Sequence, residues 1–251
     1  NTVSAMAGMV EYGGKLIDTR GDRYIATTLM GITNDTVMRA SDRLSAEGRK
    51  MISFHSTGIG GRVMETLIRE GVISAVMDLS LHEMTAEYFG GYGYSKGADN
   101  RLLAAAETGI PALICPGGID FACLRPDELF DDEEERGYVW HNKDLTHTRL
   151  YEHEILDITR TIVERVNRST GPAKVVLPMG GLRTLSYPGE LFYKPETIEK
   201  MRVIFEEGLK PEVEFEAYDL NFCDPEFADI CAREMDRLLE KAGWPEGSKA
   251  E

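Results

Sequence analysis

No apolar run in these 251 residues approaches the ~20 that a membrane-spanning helix needs, and no secretory signal pattern is present. Cysteine is scarce. The four thiols, at positions 115, 123, 223 and 231, form no C-x-x-C pair. That excludes a zinc ribbon and a dithiol redox motif, and it fits a chain with reduced thiols in the cytoplasm. Cys115 ends an apolar run and reads as core, and at least one of Cys223 and Cys231 is expected to be buried. Positive charge is also short: 28 Lys and Arg stand against 43 Asp and Glu, for a net charge of −15. A field of that sign repels phosphate backbones and anionic bilayers, so neither nucleic acid nor membrane is an expected partner. Part of the excess is one run, "DDEEER" at 131–136, which reads as a solvated loop. Internal repeats, low-complexity tracts and obvious linkers are absent.

What is present is an alternation. Short, continuously apolar runs are followed by segments with helical periodicity. Strands are expected over 23–30, 50–56, 74–80, 111–117, 173–179 and 213–220, with a doubtful one at 138–142. Helices are expected over 34–48, 61–71, 81–91, 98–109, 150–167, 194–208 and 224–242. Asn34 or Asp35 would cap the first of these, and Gly48 would stop it. Strand-then-helix repetition implies a parallel sheet with helices on its faces, and strands buried on both sides read as unbroken apolar runs. Six strand–helix units and one doubtful unit favour an open, doubly wound, Rossmann-like sheet. A TIM-like barrel, which needs eight, is the alternative. The chain is expected to form one α/β domain with its core over about 20–242.

Ligands of parallel α/β folds collect at the C-terminal ends of the strands. The stretch "FHSTGIGGR", Phe54 to Arg62, is the sharpest such place. Glycines at 58, 60 and 61 allow a tight turn with inward amides, and the following helix adds roughly half a positive charge at its N-terminus. Ser56, Thr57 and Arg62 could complete a cradle for an anion. A plain glycine-rich turn with capping hydroxyls is the competing reading. Neither phosphate fingerprint fits: G-x-G-x-x-G would need glycine at Val63, and no Gly-Lys-Ser/Thr follows. Gly117, Gly118 and Asp120 after the fourth strand, Gly180 and Gly181 after "VVLPM", and Asn142 at the doubtful strand are further candidate ligand contacts.

For proton transfer the candidates are His55, Asp78 and Glu83. His55 could equally be a strand-end histidine bonded to backbone, and the two carboxylates a cap and a surface charge. His141, His147 and His153 are spaced by six, which on a helix scatters them, so no metal site is expected. "GYSKG" at 93–97 matches the G-x-S-x-G nucleophile elbow, but "AEYFGGYG" before it is not a strand, so a serine hydrolase using Ser95 is the weakest reading.

The blocks "FHSTGIGGRVMETLI", "MDLSLHEMTAEYFGG", "ADNRLLAAAETGIPALICPGGIDF", "HNKDLTHTR", "VNRSTGPAKVVLPMGG" and "CDPEFA" occur in this order over about residues 20–240. Together they resemble the C-terminal domain of the tomato mosaic virus resistance protein family, an uncharacterised two-domain group with an ATP-binding-type domain. The resemblance implies two Rossmann-like domains in tandem, of which this chain, starting at Asn1, would be the second. It places the family's nucleotide site on the missing N-terminal half, which becomes an expected partner. It also implies Ser and Asp in the loop after "LP", where this chain has Arg183 and Ser186, and so a ligand different from the usual one. The resemblance implies no reaction and no cofactor.

The resulting expectation is a domain that binds a small anionic metabolite or nucleotide at the strand ends, on its own or as part of an uncharacterised enzyme, and that forms a homodimer or higher homo-oligomer. A non-catalytic sensing or assembly domain with the same pocket is the alternative.

Overall fold

A computed structural model describes residues 22–91 and 100–245. The candidate Ser95 lies outside the described residues. Six strands form one all-parallel sheet: β1 (Tyr24–Leu29), β2 (Lys50–His55), β3 (Ile73–Ser80), β4 (Ala112–Gly117), β8 (Ala173–Pro178) and β9 (Val213–Tyr218). Their order is β2-β1-β3-β4-β8-β9. The sheet is open and doubly wound, as the alternation predicts, and the barrel alternative is set aside. Alternate side chains of the central strands go to opposite faces, as the pleat requires. Ala112 and Ile114 of β4 join one apolar core, and Leu113 and Cys115 the other.

The first core is covered by α2 (Ile59–Arg69), α4 (Leu103–Thr108), α6 (Glu152–Val166) and α7 (Pro195–Gly208). The second lies under α1 (Asn34–Ala46) and α8 (Pro225–Lys241). The short α3 (His82–Tyr88) leads away from β3. No helix among the described residues is long and apolar enough to cross a membrane.

Three corrections concern the elements. Between 118 and 149, where only a doubtful strand at 138–142 was expected, there are three strands. β5 (Phe121–Leu124), β6 (Tyr138–Asn142) and β7 (Leu145–Arg149) form a separate antiparallel sheet in the order β5-β7-β6. The helix expected over 98–109 begins only at Leu103, because Asn100 and Leu102 hold left-handed φ angles of 64° and 71°. Helix α1 is preceded by Thr33 as its N-cap rather than Asn34 or Asp35.

The acidic run is also less solvated than expected. The short α5 (Glu133–Arg136) buries Glu133 and Arg136. Arg136 forks onto Glu154 at 2.8 and 2.9 Å and lies over the rings of Phe130 and Tyr151.

The chain proceeds from β1 outward to β2, then crosses to β3 and continues in the other direction. The reversal therefore falls between β1 and β3, where open α/β sheets leave their ligand crevice. Here that crevice is filled with hydroxyls. Thr28 Oγ1 donates to Asp78 Oδ1 at 2.5 Å, Thr33 Oγ1 donates to Ser80 Oγ at 3.2 Å, and Ser56 Oγ donates to the Ser80 carbonyl at 2.8 Å. The pairing of β3 with β4 slips between Asp78 and Ser80, the kind of irregularity that re-aims side chains beside a site.

Candidate functional site

Helix α2 starts with no side-chain cap of its own. Its first amides would be left without acceptors unless another group reached them. The group that does is Glu83, from the first turn of α3. The amides of Gly58 and Gly61 donate to the same oxygen, Glu83 Oε1, at 2.5 and 3.1 Å. The corner thus gathers an anion, and the anion is the protein's own carboxylate. Ser56 and Thr57, read as part of an anion cradle or else as caps, make these contacts: Ser56 reaches the Ser80 carbonyl, and the Thr57 hydroxyl lies 3.1 Å from His55 Nδ1. Gly61 is required by close approach, since a Cβ there would overlap Glu83 Oε2 and come within 2.6 Å of Arg101 Nε.

Arg101 ties this corner to a second one. Helix α4 also lacks a local cap, and Glu65 of α2 supplies it by accepting the amides of Leu102 and Ala104 at 2.6 and 2.7 Å. Between the two capping carboxylates sits the wholly buried Arg101 guanidinium. It lies 2.7 Å from Asp78 Oδ2, 3.2 Å from Glu83 Oε2 and 3.9 Å from Glu65 Oε1. Glu83 Oε2 and Arg101 Nε face one another off the hydrogen-bond direction, and Arg101 Nη1 also lacks a hydrogen-bond partner. Burial pushes the carboxyls of Asp78, Glu83 and Glu65 above the usual carboxylate range, with Arg101 opposing it.

The outer lip of the corner has a different character. His55, Ile59 and Arg62 are exposed and Thr57 is half-buried. The amides of Ile59 and Gly60, in the same first turn, have no acceptor among the described residues, and Arg62 has no carboxylate partner there. A Cβ on Gly60 would collide with the His55 carbonyl, so this glycine too is set by backbone approach.

The other strand-end candidates form a separate, closed cluster under the small sheet. Asp120, Arg183 and His147 are buried together. Arg183 Nε lies 3.3 Å from Asp120 Oδ1, and Ser186 Oγ donates to Asp120 Oδ2 at 2.9 Å. The guanidinium is stacked between Phe121 and Phe192, 4.1 and 3.7 Å from the ring centres. Arg183 Nη1 donates to His147 Nδ1 at 3.2 Å, which requires that nitrogen to be unprotonated. Burial and the neighbouring Arg183 push the His147 pKa down to about 2. His82 stacks on Phe121, donates from Nδ1 to the Gly118 carbonyl at 3.0 Å, and is pushed down to about 4 by burial. His82 offered no motif to read, only its position just after a strand, whereas Arg183 was marked by the resemblance as a departure in the loop after "LP".

The glycines of this region serve packing. The Gly118 amide is taken by the Leu182 carbonyl at 3.1 Å and that of Gly180 by the Leu220 carbonyl at 2.9 Å. Side chains at Gly117 and Gly181 would strike Phe222 and Asn221. The Gly118 and Gly180 amides are therefore not free to hold a ligand. Asn142 is exposed at the β6–β7 turn, where its side chain accepts the Asp144 amide at 2.8 Å. His141 and His147 lie on paired strands rather than on a helix, and their rings stack at 4.7 Å; His153 instead stacks on Tyr151.

Residues 22–239 match the C-terminal domain of the uncharacterised protein family UPF0261. The chain belongs to this family. It is 32% identical over 244 residues to a UPF0261 protein of Clostridium tetani, which covers 96% of the chain and 59% of that relative. It is 30% identical over 262 residues to the ToMV susceptible protein tm-1(GCR26) of Solanum lycopersicum, covering the whole chain and 34% of that protein. A Mesorhizobium japonicum member is 29% identical over 94% of the chain and 59% of its own length. The chain thus spans about three fifths of these bacterial relatives and a third of the tomato protein.

Proposed function

We propose that this domain binds a small anionic metabolite at the outer lip of the β2–α2 corner. Carrying the reading is the convergence of two corner amides on one carboxylate oxygen, while the amides of Ile59 and Gly60 and the Arg62 guanidinium beside them have no acceptor among the described residues. Glu83 satisfies the inner amides and the ligand takes the outer ones, helped by the Thr57 hydroxyl. On a molecule of net charge −15, such a local concentration of donors is what an anion would need in order to dock.

Binding without turnover is the better-supported form. Asp78 and Glu83 are sealed behind α2, so neither can exchange a proton with a ligand at the lip without local opening. The enzyme reading rests on His55, which is exposed, bonded to Thr57 and free to act as a base. The additional length of the relatives is where a nucleotide-binding-type domain would stand and where further catalytic groups would come from.

The test is thermal denaturation in inorganic phosphate, sugar phosphates and small carboxylates, with chloride at matched ionic strength as control. A bound anion should stabilise by about 2.7 kcal/mol at a hundred times its Kd, and Arg62→Ala should weaken the effect. Equal shifts from every salt, or shifts indifferent to Arg62→Ala, would contradict the proposal.

A further inference from the structure

Arg62 belongs to the corner, but it also begins a second feature. Arg62, Thr66 and Arg69 recur at i, i+4 and i+7 on α2, so they form one stripe. Across from them stand Asn100, just before α4, and Leu103 and Glu107, one turn apart on it. Between the two stripes is a groove of about 540 Å³, within the range of small-molecule sites, with Glu65 lining it between the helices. Leu103 is its one apolar wall residue. The groove is continuous with the lip through Arg62.

Seven residues of α2 separate Arg62 from Arg69, a rise of about 10 Å along the axis. The two guanidiniums are not equivalent. Arg62 has no carboxylate partner among the described residues, whereas Arg69 Nε holds Glu107 at 3.0 Å and Arg69 Nη2 lies 3.9 Å from Glu65. An acidic group arriving at Arg69 must therefore share it with Glu107, which is itself exposed and can swing away.

We infer that the ligand of this site is an elongated polar diacid, with one acidic group at the corner and Arg62, and the second at Arg69. The inference rests on the anion-binding reading of the corner and adds the ligand's second charge and its length. A polar backbone suits the Thr66 and Asn100 side chains along the groove, and two acidic groups about 10 Å apart suit the rise from Arg62 to Arg69 along the axis. A monoacid would use only the first of them.

Calorimetric titration of the 251-residue chain with linear α,ω-dicarboxylates, from malonate to sebacate, tests this. Monoacids of matched chain length and inorganic phosphate serve as comparisons, on the unmodified chain and on Arg62→Ala, Arg69→Ala and Glu107→Gln. The expected result is an affinity that peaks toward the longer diacids. At the peak a diacid should exceed its matched monoacid by about two- to fivefold, the size of one solvent-exposed ion pair. Arg69→Ala should abolish that preference while leaving monoacid binding unchanged, and Glu107→Gln should keep or enlarge it. Diacids that bind no better than monoacids, or an Arg69→Ala change that weakens both alike, would overturn the inference. If phosphate still bound through Arg62 in that case, the corner reading would stand alone. If no anion bound in an Arg62-dependent way, both would fall.

Discussion

Replacing Arg101 by Met removes the buried cation from a group of three carboxyls while keeping much of the side-chain volume. The guanidinium faces Asp78 at 2.7 Å, Glu83 at 3.2 Å and Glu65 at 3.9 Å, and none of these four residues is more than marginally exposed. Breaking a buried ion pair by deleting one partner costs about 3–5 kcal/mol. Against a total domain stability of about 5–15 kcal/mol, that is a large fraction. The cost must also depend on pH. Burial already raises all three carboxyls above their ordinary values, and losing Arg101 raises them further. A carboxyl whose folded-state pKa is raised gives stability that is present at low pH and lost as pH rises from the unfolded value toward the folded one. The destabilisation by Arg101→Met should therefore be smallest near pH 5 and grow toward pH 8. Urea unfolding of the two proteins across that range measures it, and other titrating groups common to both cancel in the difference. A penalty below about 1 kcal/mol, or one that does not change with pH, would refute the account of the cluster as three carboxyls held by one guanidinium.

Gly61→Ala should destabilise by about 1–3 kcal/mol or more, because its methyl would displace Glu83 and Arg101 from α2, whereas Gly31→Ala, with nothing within 4 Å, should be nearly neutral; equal melting temperatures for the two variants would contradict this. On the acid side the buried histidines act in the opposite sense to the carboxyls. The folded-state pKa of His82 is about 4 against 6.5 when exposed, so its contribution is intact above pH 6.5 and is lost as pH falls toward 4, by about 3 kcal/mol in all. His82→Asn, which can keep the hydrogen bond to the Gly118 carbonyl, should lose less stability than the unmodified chain between pH 6.5 and 4.5; parallel acid-unfolding curves would count against it.

The central strands were legible as apolar runs and β9 as the alternating "VEFEAY", and the doubly wound reading followed from their alternation with amphipathic helices. The small antiparallel sheet was not, since "LTHTR" and "FACL" are too short and, in the first case, too polar to stand out from a loop. At the corner the sequence pointed to amides that seek an anion, but not to the protein's own carboxylate among the acceptors. Three glycines before a helix announce that amides will seek an acceptor, but the acceptor lies 25 residues away at Glu83. Glu65 and Arg101, which make up the rest of that cluster, belong to segments that look like an ordinary amphipathic helix and a helix start. Only the fold brings them together. Arg183 shows the same limit, since its two aromatic partners, Phe121 and Phe192, come from separate segments 62 and 9 residues away.

Titration of ¹⁵N-labelled protein with inorganic phosphate, followed by amide chemical shifts, tests the proposed anion site most directly. The account predicts saturable shifts concentrated at Ile59, Gly60 and Arg62, with the Gly58 and Gly61 amides, already held by Glu83, moving less. Shifts that are absent from this turn, or that grow linearly with salt across the whole surface, would contradict it.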